Sequence, residues 1–142
     1  MATLTRQQAN TLLIEGVQRD LHDTGAIHDL LERQFDAAVR HRSAELTLLA
    51  EALAPLLETM EGRRQQRVTL VRALLGPDAA MSDYIASLAS GPRAAFATAW
   101  QQLEGAVRAC KEATGRNGRL LADQYSVMQR VLYGEEDTYA PR

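Results

Sequence analysis

The sequence predicts an all-α fold: a long antiparallel helical hairpin packed with a third long C-terminal helix, plus one short helix, in an elongated bundle. Three observations predict it. Ala, Leu, Arg, Glu and Gln are plentiful while runs of β-branched residues are missing, a composition that favours helix over sheet. Apolar residues recur at steps of three and four through several long stretches, the period of a helix with one buried face. Gly and Pro stand side by side at only two places, Gly76-Pro77 and Gly91-Pro92, so few breaks interrupt that pattern.

The first helix is expected over about 5–40. Thr5-Arg6-Gln7-Gln8 has the spacing of a capping box, in which Thr5 and Gln8 serve each other's backbone donors. Leu13, Val17, Leu21, Ile27, Leu31, Phe35 and Ala38 mark one face. Asp23-Thr24-Gly25 is its weakest point, but the stripe resumes without a large phase jump, so one continuous helix is expected. His41-Arg42-Ser43 makes the turn, with Ser43 as N-cap of a second helix over 44–75. There Leu46, Leu49, Leu53, Leu56 and Met60 give way, after a phase slip at Gly62-Arg63-Arg64, to Val68, Val71 and Leu75. Pro55 should kink this helix, and so short a joint should make the pair antiparallel. Gly76-Pro77-Asp78 stops it, and Asp78 is expected to cap a short helix over 79–88.

Ser90-Gly91-Pro92 restarts the chain for a helix over 92–132. Phe96, Trp100, Leu103, Val107, Cys110, Thr114, Asn117, Leu121, Gln124, Met128 and Val131 follow at alternating steps of four and three, a bundle seam that turns polar at Thr114 and Asn117. Gly115 and Gly118 weaken the helix there. Residues 1–132 therefore read as a single domain, and 133–142 as a mobile tail without periodicity. Beyond the polar step, Leu120, Leu121, Tyr125, Met128, Val131 and Leu132 carry two readings. They capture a partner's amphipathic helix, or they fold back on their own bundle.

Catalytic chemistry finds little support. Net charge is −2, which supplies no basic field for nucleic acid or an anionic membrane. No apolar run approaches the ~20 residues of a spanning helix, and polar Met1–Asn10 lacks the regions of a signal peptide, so a cytoplasmic protein is expected. Cys110, the single cysteine, lies on the seam as a small hydrophobe. His22, His28 and His41 lack the spacing and acidic partners of a metal site. Neither metal, cofactor nor enzymatic activity is expected. Arg63, Arg64, Arg67 and Arg72, about a turn from Glu58 and Glu61, read as a solvated face with local ion pairs.

The order of features is nevertheless specific. A long hairpin ending in Leu74-Leu75-Gly76 leads to a short helix, a Trp100-x-x-Leu103 step, Asn117-Gly118-Arg119-Leu120-Leu121, and a closing Asp137-Thr138-Tyr139. Over nearly its whole length the chain resembles the flagellar export chaperone family FlgN. That resemblance implies a cytoplasmic type III export chaperone without cofactor or catalysis, which holds the hook–filament junction proteins FlgK and FlgL ready for export. It places client binding on Asn117, Gly118, Leu120, Leu121, Tyr125, Met128 and Leu132. It assigns docking on the export gate protein FlhA to Tyr139, with Tyr133 as rival. The alternative from a different class is a structural or adaptor bundle that self-associates; a weak homodimer fits either reading.

Overall fold

The computed structural model describes residues 4–139, the side chains of 134–139 excepted. It is all-α among those residues, with four helices: α1 (Arg6–Val39), α2 (Ser43–Leu75), α3 (Met81–Ala86) and α4 (Ser90–Tyr139). The expected capping box opens α1: Thr5 N–H donates to Gln8 Oε1 at 2.9 Å, and Gln8 N–H to Thr5 Oγ1 at 3.1 Å. The helix passes unbroken through Asp23-Thr24-Gly25, where Thr24 is buried and turns its hydroxyl back onto the Asp20 carbonyl at 2.8 Å.

Three local expectations are corrected. Ser43 is the first residue of α2 and not its cap; Arg42 stands at the N-cap without a capping side chain, and His41 makes the turn in the left-handed region at φ 55. Asp78 does not cap α3. The Asp83 carboxylate accepts from the Ala80 N–H at 2.8 Å, so α3 starts two residues later than expected. Helix α4 begins at Ser90 and runs to Tyr139, past the expected end at Leu132. Its 50 residues make a rod about 75 Å long. The tail expected over 133–142 thus begins as helix, and residues 140–142 lie outside the described residues. Gly76 closes α2 as expected, at φ 114, a conformation that only glycine adopts without strain.

Helix α1 is the centre. Both α2 and α4 pack along it, whereas no Cα of α2 comes within 8 Å of one in α4. Helix α3 meets α2 and α4 in the same sense and not α1. In cross-section α1, α2 and α4 take three corners of a four-helix square, and α3 takes the fourth corner at one end only.

Two apolar clusters hold the rod. One joins Leu13, Val17, Val71, Tyr84, Phe96 and Leu103, with Tyr84 edge-on to Phe96 at 5.4 Å between centroids. The other joins Ile27, Leu31, Leu53 and Ala113. Between them lies a polar layer. Asp20, fully buried, takes Arg63 Nε at 2.5 Å and Arg67 Nη1 at 2.8 Å. Arg63 also bonds Asp23, and Arg67 lies over the Trp100 ring at 5.3 Å. Arg63 and Arg67 therefore do not belong to a solvated face. They tie α2 to α1 and α4, while Arg64 pairs locally with Glu61 at 2.7 Å as expected.

Tyr84 joins α3 to α1 by donating its hydroxyl to Asn10 Oδ1 at 2.7 Å. Burial pushes this phenol above the usual tyrosine range, against a smaller opposing pull from Arg6. A raised folded value means a contribution to stability that is complete below about pH 10, where unfolded tyrosine titrates, and lost as pH rises through the folded value. Tyr84→Phe should cost about 1 kcal/mol at neutral pH and should flatten the alkaline loss. Urea denaturation at neutral and alkaline pH checks both.

The projecting face of the C-terminal helix

The seam of α4 consists of two columns, and the structure sends them to different neighbours. Leu103, Cys110, Asn117 and Gln124, at steps of seven, face α1. Cys110 Sγ lies 3.6 Å from the Thr24 carbonyl, Asn117 Nδ2 donates to the Leu31 carbonyl at 2.8 Å, and Gln124 Nε2 donates to the Ala38 carbonyl at 2.9 Å. Each pair is separated by 86 residues. A constant offset means that α1 and α4 run parallel in a heptad register. Burial pushes the Cys110 thiol up, the opposite of an activated nucleophile.

Asn117 is only 2% exposed. Its amide also donates to Gln34 Oε1 at 2.8 Å, and its carbonyl oxygen accepts from Arg116. Arg116 in turn pairs with Glu32 and covers the Phe35 ring at 4.1 Å. Among the residues assigned to client binding, Asn117 thus anchors α4 on α1 and faces away from solvent. Thr114, read as the first polar step of the seam, is exposed, and Ala113 beside it is buried.

The second column, Trp100, Val107, Thr114, Leu121 and Met128, points beside α1. Val107 and Thr114 line an open channel with Leu53, Leu57 and Met60 of α2. Beyond it α1 ends. The offset of 86 sets Val39, its last residue, level with Tyr125, so the 14 residues from there to Tyr139 project about 21 Å past the end of α1. Along that projection Tyr125, Val127, Met128, Val131, Leu132 and Tyr133 are each exposed over more than half of their surface, and Leu121 is 38% exposed. Gly118 is exposed and Leu120 half-buried at the root.

Leu121, Tyr125, Met128 and Leu132 therefore share one stripe, as the sequence suggests. Val127 and Val131 widen it. Val131 was visible as the next heptad step after Gln124, but Val127 carried no such signal. A contiguous apolar face of this kind on an otherwise charged chain is a candidate interaction surface. Tyr133 lies on the projection; the side chain of Tyr139 lies outside the described residues. No helix among the described residues is long and apolar enough to cross a membrane, and no group of three or more His, Cys, Asp or Glu side chains among them converges on a metal position.

A Cβ at Gly118 would meet nothing within 4 Å, and one at Gly115 would meet only the flexible end of Arg119 at 3.3 Å. Neither glycine is required by packing within the chain. Gly118→Ala should therefore stabilise α4 by about 0.5–1 kcal/mol, read as a higher melting temperature.

A family model described as FlgN protein matches residues 9–133. No curated protein and no solved structure matches the chain. The matched span takes in the whole hairpin but its first residues, the short helix, and α4 through the exposed stripe, and the chain belongs to the FlgN family of flagellar export chaperones.

Proposed function

We propose that this chaperone receives the amphipathic terminal helices of the hook–filament junction proteins FlgK and FlgL on the projecting end of α4, and delivers them in the cytoplasm to the export gate protein FlhA. The single observation behind the client site is the exposed apolar stripe of Leu121, Tyr125, Met128 and Leu132, carried past the end of α1. Gly118 and Leu120 form its root, and Asn117 holds that root to α1. An unsupported helix end frays readily, so part of the binding energy goes into ordering it. Tyr139 is the proposed contact with FlhA and Tyr133 the second candidate. The chemistry is that of capture and release, with no catalytic step.

Hydrogen exchange tests this reading. Backbone amides from about Gln124 onward should exchange fast in the free protein, while those of α1 and of α4 before Asn117 are protected. Adding FlgK or FlgL should slow exchange along the projection. Exchange there that stays unchanged under saturating client would contradict it.

A further inference from the structure

We propose that the client helix seated on the projecting stripe continues into the open channel between α2 and α4, completing a four-helix bundle, and that Lys111 and Arg108 select acidic side chains on it. This rests on the client site proposed above and extends it to a second helix of the chaperone. Helix α3 takes the fourth corner of the square at one end only. Past it, a channel runs between Leu57 and Met60 of α2 and Val107 and Thr114 of α4, over a floor of Ile27 and Leu31 from α1. Leu57 is 52% exposed on that apolar wall, as it would be in a four-helix bundle lacking one helix.

The stripe leads into this channel. Leu121 and Met128 continue towards the start of α4, at steps of seven, as Thr114 and Val107; Tyr125 and Leu132 continue as Gly118 and Lys111. Steps of seven hold one line beside α1, because Cys110, Asn117 and Gln124 meet α1 at the same steps. A helix laid along the two columns of the stripe therefore gains α2 as a second neighbour once it passes Thr114. Gly118 lies on this track, and a Cβ there would meet nothing within 4 Å, so the crossing from projection to channel is unobstructed. From Leu132 to Val107 the track spans about 38 Å, room for about 25 residues of helix, against about 17 Å from Leu132 to Leu121.

Charge describes the occupant. Arg64 and Arg67 are held by Glu61 and Asp20, whereas Arg108 and Lys111, on the α4 edge of the channel, pair with no carboxylate among the described residues. Glu104 stands on the same edge, so two of its three charges are positive. Lys111 lies on the track itself, where its stem covers apolar surface and its ammonium reaches past. The matching helix is amphipathic, with apolar residues against Leu57, Met60 and Val107 and carboxylates on the flank that meets Lys111 and Arg108.

Calorimetric titration of FlgK and of FlgL tests this with three variants beside the parent. Leu57→Glu and Arg108→Glu/Lys111→Glu change exposed residues and should keep the fold, checked by circular dichroism. Each should weaken both clients about tenfold or more, and the charge-reversed variant should lose most of the parent's salt dependence. Met128→Glu/Leu132→Glu reads the stripe alone. Loss in that variant with unchanged binding by Leu57→Glu would overturn the continuation and leave the client on the projection. Unchanged affinity and salt dependence after charge reversal would overturn it as well. Equal binding by the stripe variant would remove the reading beneath it, and the continuation with it. On a Cys110→Ser background, alkylation of Leu57→Cys should be slowed by FlgK or FlgL and not by raising the chaperone concentration. Slowing by the chaperone alone would give the channel to a second copy and overturn the proposal.

Discussion

Asp20→Ala should lower the stability of the folded chain by about 3–5 kcal/mol, a large share of the roughly 5–15 kcal/mol available to a domain. The carboxylate is fully buried and takes two guanidinium groups from α2. Removing it leaves Arg63 with Asp23 alone and Arg67 with only the Trp100 ring, both side chains being largely covered, at 15% and 11% exposure. Desolvated cations without a partner are what make such a truncation severe; the intact network is worth less than its loss costs. Both apolar clusters flank this layer, so the effect should appear as a single cooperative shift in a urea transition. Glu61→Ala, by contrast, breaks only solvent-exposed contacts, the pair with Arg64 and a bond from Gln65, and its effect should be too small to resolve.

That layer also shows what the sequence does and does not reveal. Helix identity, the hairpin, the Thr5–Gln8 cap and the Gly76 stop were all legible, because each is written in local spacing. The inward face of α1 was legible only in part. Its buried positions run Leu13, Val17, Asp20, Thr24, Ile27 and Leu31, and a reading that follows apolar residues steps over the two polar ones to Leu21. Only the fold shows that Asp20 and Arg63, 43 residues apart, neutralise each other. Arg63 and Arg67 turn inward for the same reason, whereas Arg64 keeps the solvated place expected of it. In α4 the buried Ala113 carries no such signal either, since alanine is too small to mark a stripe. Asn117 stands out in the sequence as a polar step on the seam, and the fold shows it making an anchoring bond to the Leu31 carbonyl. The α4 stripe was legible because periodicity requires no partner to be seen. Its exposure was not, because that depends on where α1 ends.

Met128→Glu combined with Leu132→Glu should reduce the affinity for FlgK and FlgL by about thirtyfold or more, without lowering the stability of the free chain. Met128 is 59% exposed and Leu132 is 57% exposed, and both lie beyond the level of Val39, so neither supports the bundle. A carboxylate at either position would have to be buried against the apolar face of a client helix, without a partner. Asn117→Ala should behave in the opposite way. It removes the bonds to Leu31 and Gln34 and should cost about 1–3 kcal/mol of stability, with a smaller effect on client affinity because it loosens the root and leaves the stripe intact.

Calorimetric titration of FlgK and FlgL into the full chain and into the Met128→Glu/Leu132→Glu variant tests the client surface most directly. Binding by the parent, with at least about a thirtyfold loss in a variant whose thermal transition is unchanged, is the predicted result. Equal binding by a folded variant would contradict the account and move the client elsewhere on the bundle.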